Sequence, residues 1–183
     1  MESPPVYAIT GQVSAGKSTL ARALLARHAL GVHVDVDALR EMVTSGLAGP
    51  LDWTPETSRQ FDLALRAAAA IAAVYRGAAF AVAIEGSVDP LAADRHLDEA
   101  GLREAVVGVV LHPPLDVALR RNAERTTKGF DTAILDEVIR RLDGDLRAEA
   151  VPAGWIRLDN GGEDVDATVE RVRASAGLPA RAT

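Results

Sequence analysis

The chain has 183 residues, 48% hydrophobic and 25% charged, which excludes wholesale disorder and gives a single domain (1–183) enough chain to bury a real core. A formal net charge of −6 argues against a nucleic-acid partner, because phosphate-binding surfaces carry the opposite balance. With no cysteine, disulfides, thiolate nucleophiles and Cys-ligated zinc are all excluded.

In chain order, residues 6–10 form a short apolar run ending in Gly11, a buried strand. Residues 17–29 place Leu20, Leu24 and Leu25 at helical spacing, with Gly31 as a stop. A strand at 32–34 opens onto Asp35 and Asp37, followed by a helix at 38–45. Two Gly and two Pro around Trp53 make 46–55 an irregular loop. Thr54-Pro55 supplies an N-cap and a first-turn proline for an Ala-rich helix reaching about residue 75. The second half alternates again, with strands at 79–84, 106–111 and 155–158. Helices are expected at 90–100, 115–126, 131–149 and 164–175. The tails, 1–5 and 177–183, are expected to be loose. Five strands alternating with helices imply parallel strands joined by right-handed crossovers, hence an α/β class and a three-layer α/β/α sandwich.

The sharpest motif is Gly11-Gln12-Val13-Ser14-Ala15-Gly16-Lys17-Ser18, a G-x-x-x-x-G-K-[ST] string between a predicted strand and a predicted helix. Glycines let backbone N–H groups curl around phosphate oxygens, and the following helix offers its unpaired amides and partial positive charge. Lys17 is placed to reach β- and γ-phosphates and Ser18 to ligate Mg²⁺, with Thr19 next in the helix. The nucleotide-binding set is therefore Gly11 to Thr19. Lysine is used only twice in the chain, against eighteen arginines, and one of the two stands where a compact point charge is wanted.

Three further features bear on chemistry. Asp35 and Asp37 follow the second strand, and ligands of parallel sheets bind beyond the strands' carboxyl ends. There, one carboxylate can orient the proton of an attacking hydroxyl and another can hold Mg²⁺ or substrate; helix capping is the competing role. Glu85 ends an apolar strand and is a candidate for substrate binding or for Mg²⁺ through water. Arg120, Arg121, Arg125 and Lys128 cluster before Gly129, with Arg121 and Arg125 four apart on one helix face, where they can neutralise a transferring phosphoryl group. Trp53 is a candidate to wall or stack on a substrate. His28, His33, His96 and His112 show no metal-ligand spacing. Asp159-Asn160-Gly161 reads as an ordinary turn.

The guanine-reading N/T-K-x-D string of Ras-type GTPases does not occur, and Asp98-Glu99-Ala100-Gly101 lies in a predicted helix rather than at a strand end. The order of GQVSAGKS, D-x-D, I-E-G and H-P-P before an Arg-rich helix resembles the small P-loop kinases, within them the chloramphenicol phosphotransferase and zeta-toxin-like group. That resemblance implies a five-stranded parallel sheet in the order 2-3-1-4-5 and an arginine-bearing lid at about 120–131. It also implies Asp37 as catalytic base, with Lys17, Arg121 and Arg125 as its catalytic companions, and ATP and Mg²⁺ as cofactors. Asp159-Asn160-Gly161, besides its turn chemistry, is similar to the adenine-side loop of such kinases.

The resulting expectation is a kinase phosphorylating a hydroxyl of a small molecule such as an antibiotic, sugar or nucleoside, with Ser18 and Asp35 on the metal and Asp35, Trp53 and Glu85 on the substrate. A nucleotide-binding regulator without phosphotransfer and a polynucleotide 5′-hydroxyl kinase stand as alternatives. Homodimerisation through an exposed face is left open. The N-terminus lacks the basic and apolar regions of a signal peptide, and Arg66, Arg76 and Gly77 interrupt the most apolar stretch, so a cytoplasmic, non-membrane protein is expected.

Overall fold

A computed structural model describes residues 4–125, 132–148 and 150–178. Five parallel strands form one sheet in the order β2-β3-β1-β4-β5: β1 (Val6–Gly11), β2 (Gly31–Asp35), β3 (Ala81–Glu85), β4 (Val106–Leu111) and β5 (Ile156–Leu158). Side chains alternate across β1, so Val6 and Ala8 enter one core while Tyr7 and Ile9 enter the other. The first core is closed by α3 (Pro55–Gly77) and α4 (Pro90–Glu99), the second by α1 (Lys17–Leu25) and α7 (Val165–Ser175). Both faces of the sheet are therefore covered, which is why β1 is buried at every position. No described helix is long and apolar enough to cross a membrane.

Local signals explain the helix starts. Thr54 and Thr57 form a reciprocal capping box and Pro55 occupies the first turn of α3. Asp89 and Asp164 cap α4 and α7 through their carboxylates. Boundaries differ from the sequence reading where helix ends use extra residues. α1 stops at Leu25 rather than 29, because the amides of Arg27 and His28 reach back three residues as the chain turns toward β2. α2 (Val36–Glu41) begins two residues early, since Asp35 caps it as soon as the strand ends, and it closes at Glu41 instead of 45. β3 starts at Ala81, because Ala79 takes a left-handed φ of 67° to terminate α3. α6 (Asp136–Ala148) is preceded by a 3-10 turn at Thr132–Leu135, and α5 spans Leu115–Ala123. The tails are tied where described: the Pro4 carbonyl accepts from Arg76 Nε at 2.9 Å, and Leu178 packs against the α1–α7 core. The expected Lys128-Gly129 break lies outside the described residues.

Gly108 in β4 sits under the Trp155 indole, where a Cβ would lie 2.0 Å from the ring, and Trp155 Nε1 donates to Asp94 Oδ1 at 3.0 Å. Gly144, inside α6, has no atom within 4 Å of a new methyl. Two Gly→Ala substitutions should therefore have opposite signs in urea unfolding. Gly108→Ala is expected to cost about 1–3 kcal/mol by overpacking, and Gly144→Ala to add about 0.5–1 kcal/mol through helix propensity.

Candidate active site

The loop between β1 and α1 is built on close backbone contact. Gly11 has φ 127°, and a Cβ there would meet the Leu111 carbonyl oxygen at 2.1 Å. The next amide, of Gln12, donates to that same oxygen at 3.1 Å. Ser14 (φ 61°) and Gly16 (φ 89°) turn the chain again before α1 begins. The amides of Val13, Ser14 and Gly16 have no hydrogen-bond partner among the described residues, and all three residues face a cleft of about 770 Å³. Those groups, with the first amides of α1, form a concave set of donors suited to phosphate oxygens. Gln12 departs from the expected set: its amide is taken by Leu111, and its fully buried side chain donates to the Ile139 carbonyl at 3.2 Å, tying the loop to α6. The Ala15 amide likewise donates to the Gln12 carbonyl, at 3.2 Å.

Lys17 is 9% exposed and its ammonium donates to the Gln12 carbonyl at 2.9 Å, Ser87 Oγ at 2.9 Å and the Gly11 carbonyl at 3.4 Å. Burial pushes its pKa down, against the opposing charges of Glu85 and Asp37. Ser18 Oγ donates to Glu85 Oε1 at 2.6 Å, and His33 Nε2 lies 3.5 Å from that oxygen. Burial raises the Glu85 carboxyl, but His33, Ser18 and Lys17 together outweigh it and hold the group below its usual range. Asp35 and Glu85 are register partners at the carboxyl ends of β2 and β3. Asp35 Oδ1 accepts from the amides of Asp37 (2.8 Å) and Ala38 (3.2 Å), so it caps α2 while also lining the cleft.

Asp37 follows in the first turn of α2, also on the cleft. Burial raises its pKa, with Asp35 and Glu85 adding to the rise and Lys17 and Arg40 opposing it. Arg121, on α5, lines the cleft and donates to the Asn160 carbonyl at 2.9 Å and the Ala15 carbonyl at 3.4 Å. Arg125 lines the cleft beyond the end of α5, and its charge acts on Lys17. Residues 126–131, the rest of the expected lid, lie outside the described residues. Trp53 is half exposed, stacks on Phe61 at 5.2 Å and 14°, and donates to Ser58 Oγ at 2.7 Å.

The structure also gives contacts that the sequence does not show. Asn160, in the segment read as a turn and as similar to an adenine-side loop, is buried on the cleft, and its Nδ2 donates to the Ala15 carbonyl at 2.9 Å. Asn122, fully buried, accepts from Ser14 Oγ at 3.2 Å and donates to the Thr132 carbonyl at 2.7 Å and Asp136 at 2.9 Å. Phe61 and Arg40 also line the cleft. Arg40 stands one helical turn after Asp37, a spacing that could have flagged it. Among the described residues no three His, Cys, Asp or Glu side chains form a ready-made metal site. The hard oxygens of Ser18, Glu85 and Asp35 suit Mg²⁺, which is normally bound by one or two protein groups, water and substrate phosphates.

A 2-3-1-4-5 parallel sheet with a glycine-rich loop presenting unpaired amides from its central strand is the fold of the P-loop kinases. Residues 6–145 match the model of the AAA_33 family, an AAA domain, and the chain belongs to that family. No curated protein matches the sequence. Among solved structures, the tunicamycin resistance protein of Deinococcus radiodurans is similar (TM-score 0.69, 19% identity, 98% of this chain and 99% of that one). A sugar kinase from Janibacter sp. HTCC2649 is similar at TM-score 0.69 and 19% identity, over 96% and 95% of the two chains. The Mycobacterium tuberculosis APS kinase, solved with AMPPNP and APS, superposes at TM-score 0.62 and 20% identity, over 97% and 99%.

The partly buried Asp37 carboxylate is a stability cost. A carboxyl held above its ordinary range destabilises the fold wherever it is ionised, and the penalty disappears once pH falls below both its folded and unfolded pKa values. Asp37→Asn is therefore expected to raise the melting temperature of the ligand-free protein at pH 7, with the gain shrinking on acidification. Thermal scans across pH check both parts.

Proposed function

We propose that the protein is an ATP- and Mg²⁺-dependent kinase that transfers the γ-phosphate to a hydroxyl of a small molecule. The observation carrying this reading is that one cleft holds unpaired loop amides, Lys17, the Ser18–Glu85 pair and a partly buried carboxylate, Asp37, whose charge acts on Lys17. The kinases among the similar structures, including one with AMPPNP bound, support the same reading. Within the small P-loop kinases, the finer assignment remains the chloramphenicol phosphotransferase and zeta-toxin-like group named from the motifs.

In this mechanism the loop amides and Lys17 hold the triphosphate, and Lys17 exchanges its contacts with Ser87 and the loop carbonyls for phosphate oxygens. Ser18 and Asp35, with Glu85 through water, would hold Mg²⁺, which neutralises charge across the β- and γ-phosphates when bound. Asp37 accepts the proton as the acceptor oxygen bonds to the γ-phosphorus, and the bond from that phosphorus to the β–γ bridging oxygen breaks, releasing ADP. Arg125 stabilises charge on the transferring oxygens, and Arg121 secures the loop through Ala15. Trp53 offers a flat wall for the acceptor.

Acceptor-dependent ADP release over a panel of antibiotics, sugars, sugar acids and nucleosides tests the proposal. A selective acceptor is expected. On it, Asp37→Asn should lower kcat about 100- to 10,000-fold while leaving ATP binding intact, whereas Lys17→Ala should impair both. Near wild-type turnover in Asp37→Asn would overturn the assignment of the base.

A further inference from the structure

We infer that Arg40 anchors an oxyanion on the acceptor, so that the substrate of this cleft is a hydroxylated acid rather than a neutral alcohol. The inference rests on the phosphotransferase reading and assigns it a substrate class.

Arg40 is only 6% exposed and lines the acceptor end of the cleft. One of its terminal nitrogens donates to the Ala48 carbonyl at 2.7 Å, and the guanidinium carbon lies 4.8 Å from the centre of the Phe61 ring. Its Nε is buried with no hydrogen-bond partner, and no carboxylate among the described residues comes within 4.0 Å of the group. A buried cation held by one carbonyl and a ring face is undercompensated, and such groups are ordinarily paired with an anion. The Asp37 carboxylate, one helical turn earlier, acts on Arg40 without an ion-pair contact, whereas Lys17 fills three hydrogen bonds and sits beside the charge of Glu85.

The surroundings make this a built site. Gln60 donates to the Gly46 carbonyl at 2.8 Å and accepts from the Ala48 amide at 2.9 Å, and Thr57 donates to the Gly49 carbonyl at 3.2 Å. The carbonyl that grips Arg40 is thus itself fixed to α3. Phe61 lies between Arg40 and Trp53 as a stacked wall. Residues three apart on a helix have Cβ atoms about 5–6 Å apart, so a hydroxyl at Asp37 and an oxyanion at Arg40 belong to one compact molecule. The guanidinium fork suits carboxylate and phosphate oxygens alike.

Matched acceptor pairs test the inference. ADP release is measured with gluconate against glucose, glycerate against glycerol, and the corresponding phosphate monoesters against their parent alcohols. The anionic member is expected to have the higher kcat/KM by about 10- to 100-fold, and the carboxylate and phosphate arms identify which oxyanion fits. Arg40→Gln should collapse that ratio toward one, chiefly through KM, and Arg40→Lys should restore part of it. Should Arg40→Gln fail to fold, the wild-type ratios decide alone. Equal or better use of the neutral partners overturns the inference and leaves the kinase standing. An anionic preference unchanged in folded Arg40→Gln also overturns it. No acceptor-dependent release from either member of any pair, nor from any other acceptor, would overturn the kinase reading and the inference with it.

Discussion

Everything in the cleft depends on the contact between Gly11 and the Leu111 carbonyl. The central strand must leave the sheet within one residue, so close to its neighbour that no side chain fits. The Gln12 amide then caps the carboxyl end of β4, and the chain is thrown into turns in which the amides of Val13, Ser14 and Gly16 face the cleft unpaired. Buried or recessed amides without partners are costly in an isolated fold. They are tolerated here because the helix behind them and the water or anion before them complete their hydrogen bonding.

The same economy runs through the side chains. Lys17, Asp37 and Arg40 are charged groups withdrawn from water, and each carries a physical sign of incomplete compensation: a lowered pKa, a raised pKa, and an orphaned buried nitrogen. Packing elsewhere is conventional, with apolar residues filling both faces of the sheet. Gathering charged groups of this kind in one cleft costs stability and leaves them ready for a ligand. Asn122, Asn160 and Arg121 brace that arrangement, linking the phosphate loop to α5, α6 and the turn after β5.

What could be read from the sequence follows the range of the interactions. The phosphate loop is a contiguous string whose function depends on local backbone geometry, so its glycines and Lys17 announced it. Glu85 was visible because an acid at the end of an apolar strand has few other places to face. The sheet order followed only from the family resemblance, since alternation of strands and helices does not by itself set neighbours. The segment holding Asn160 could be read as an adenine-side loop or as a plain turn, but its bond to Ala15, 145 residues away, could not be read at all. Asp35 shows both of its sequence-level roles at once, as helix cap and as cleft carboxylate. Helix ends were misplaced where termination borrowed residues from the next strand, as at Ala79.

The central claim is that this cleft moves a phosphoryl group to an alcohol rather than merely holding a nucleotide. Following the fate of the γ-phosphate by phosphorus NMR, with ATP, Mg²⁺ and a pooled set of hydroxylated acids and neutral alcohols, tests it most directly. The account predicts a new phosphate-monoester signal growing in step with ADP. Inorganic phosphate as the sole product, or ATP left intact throughout, would contradict it.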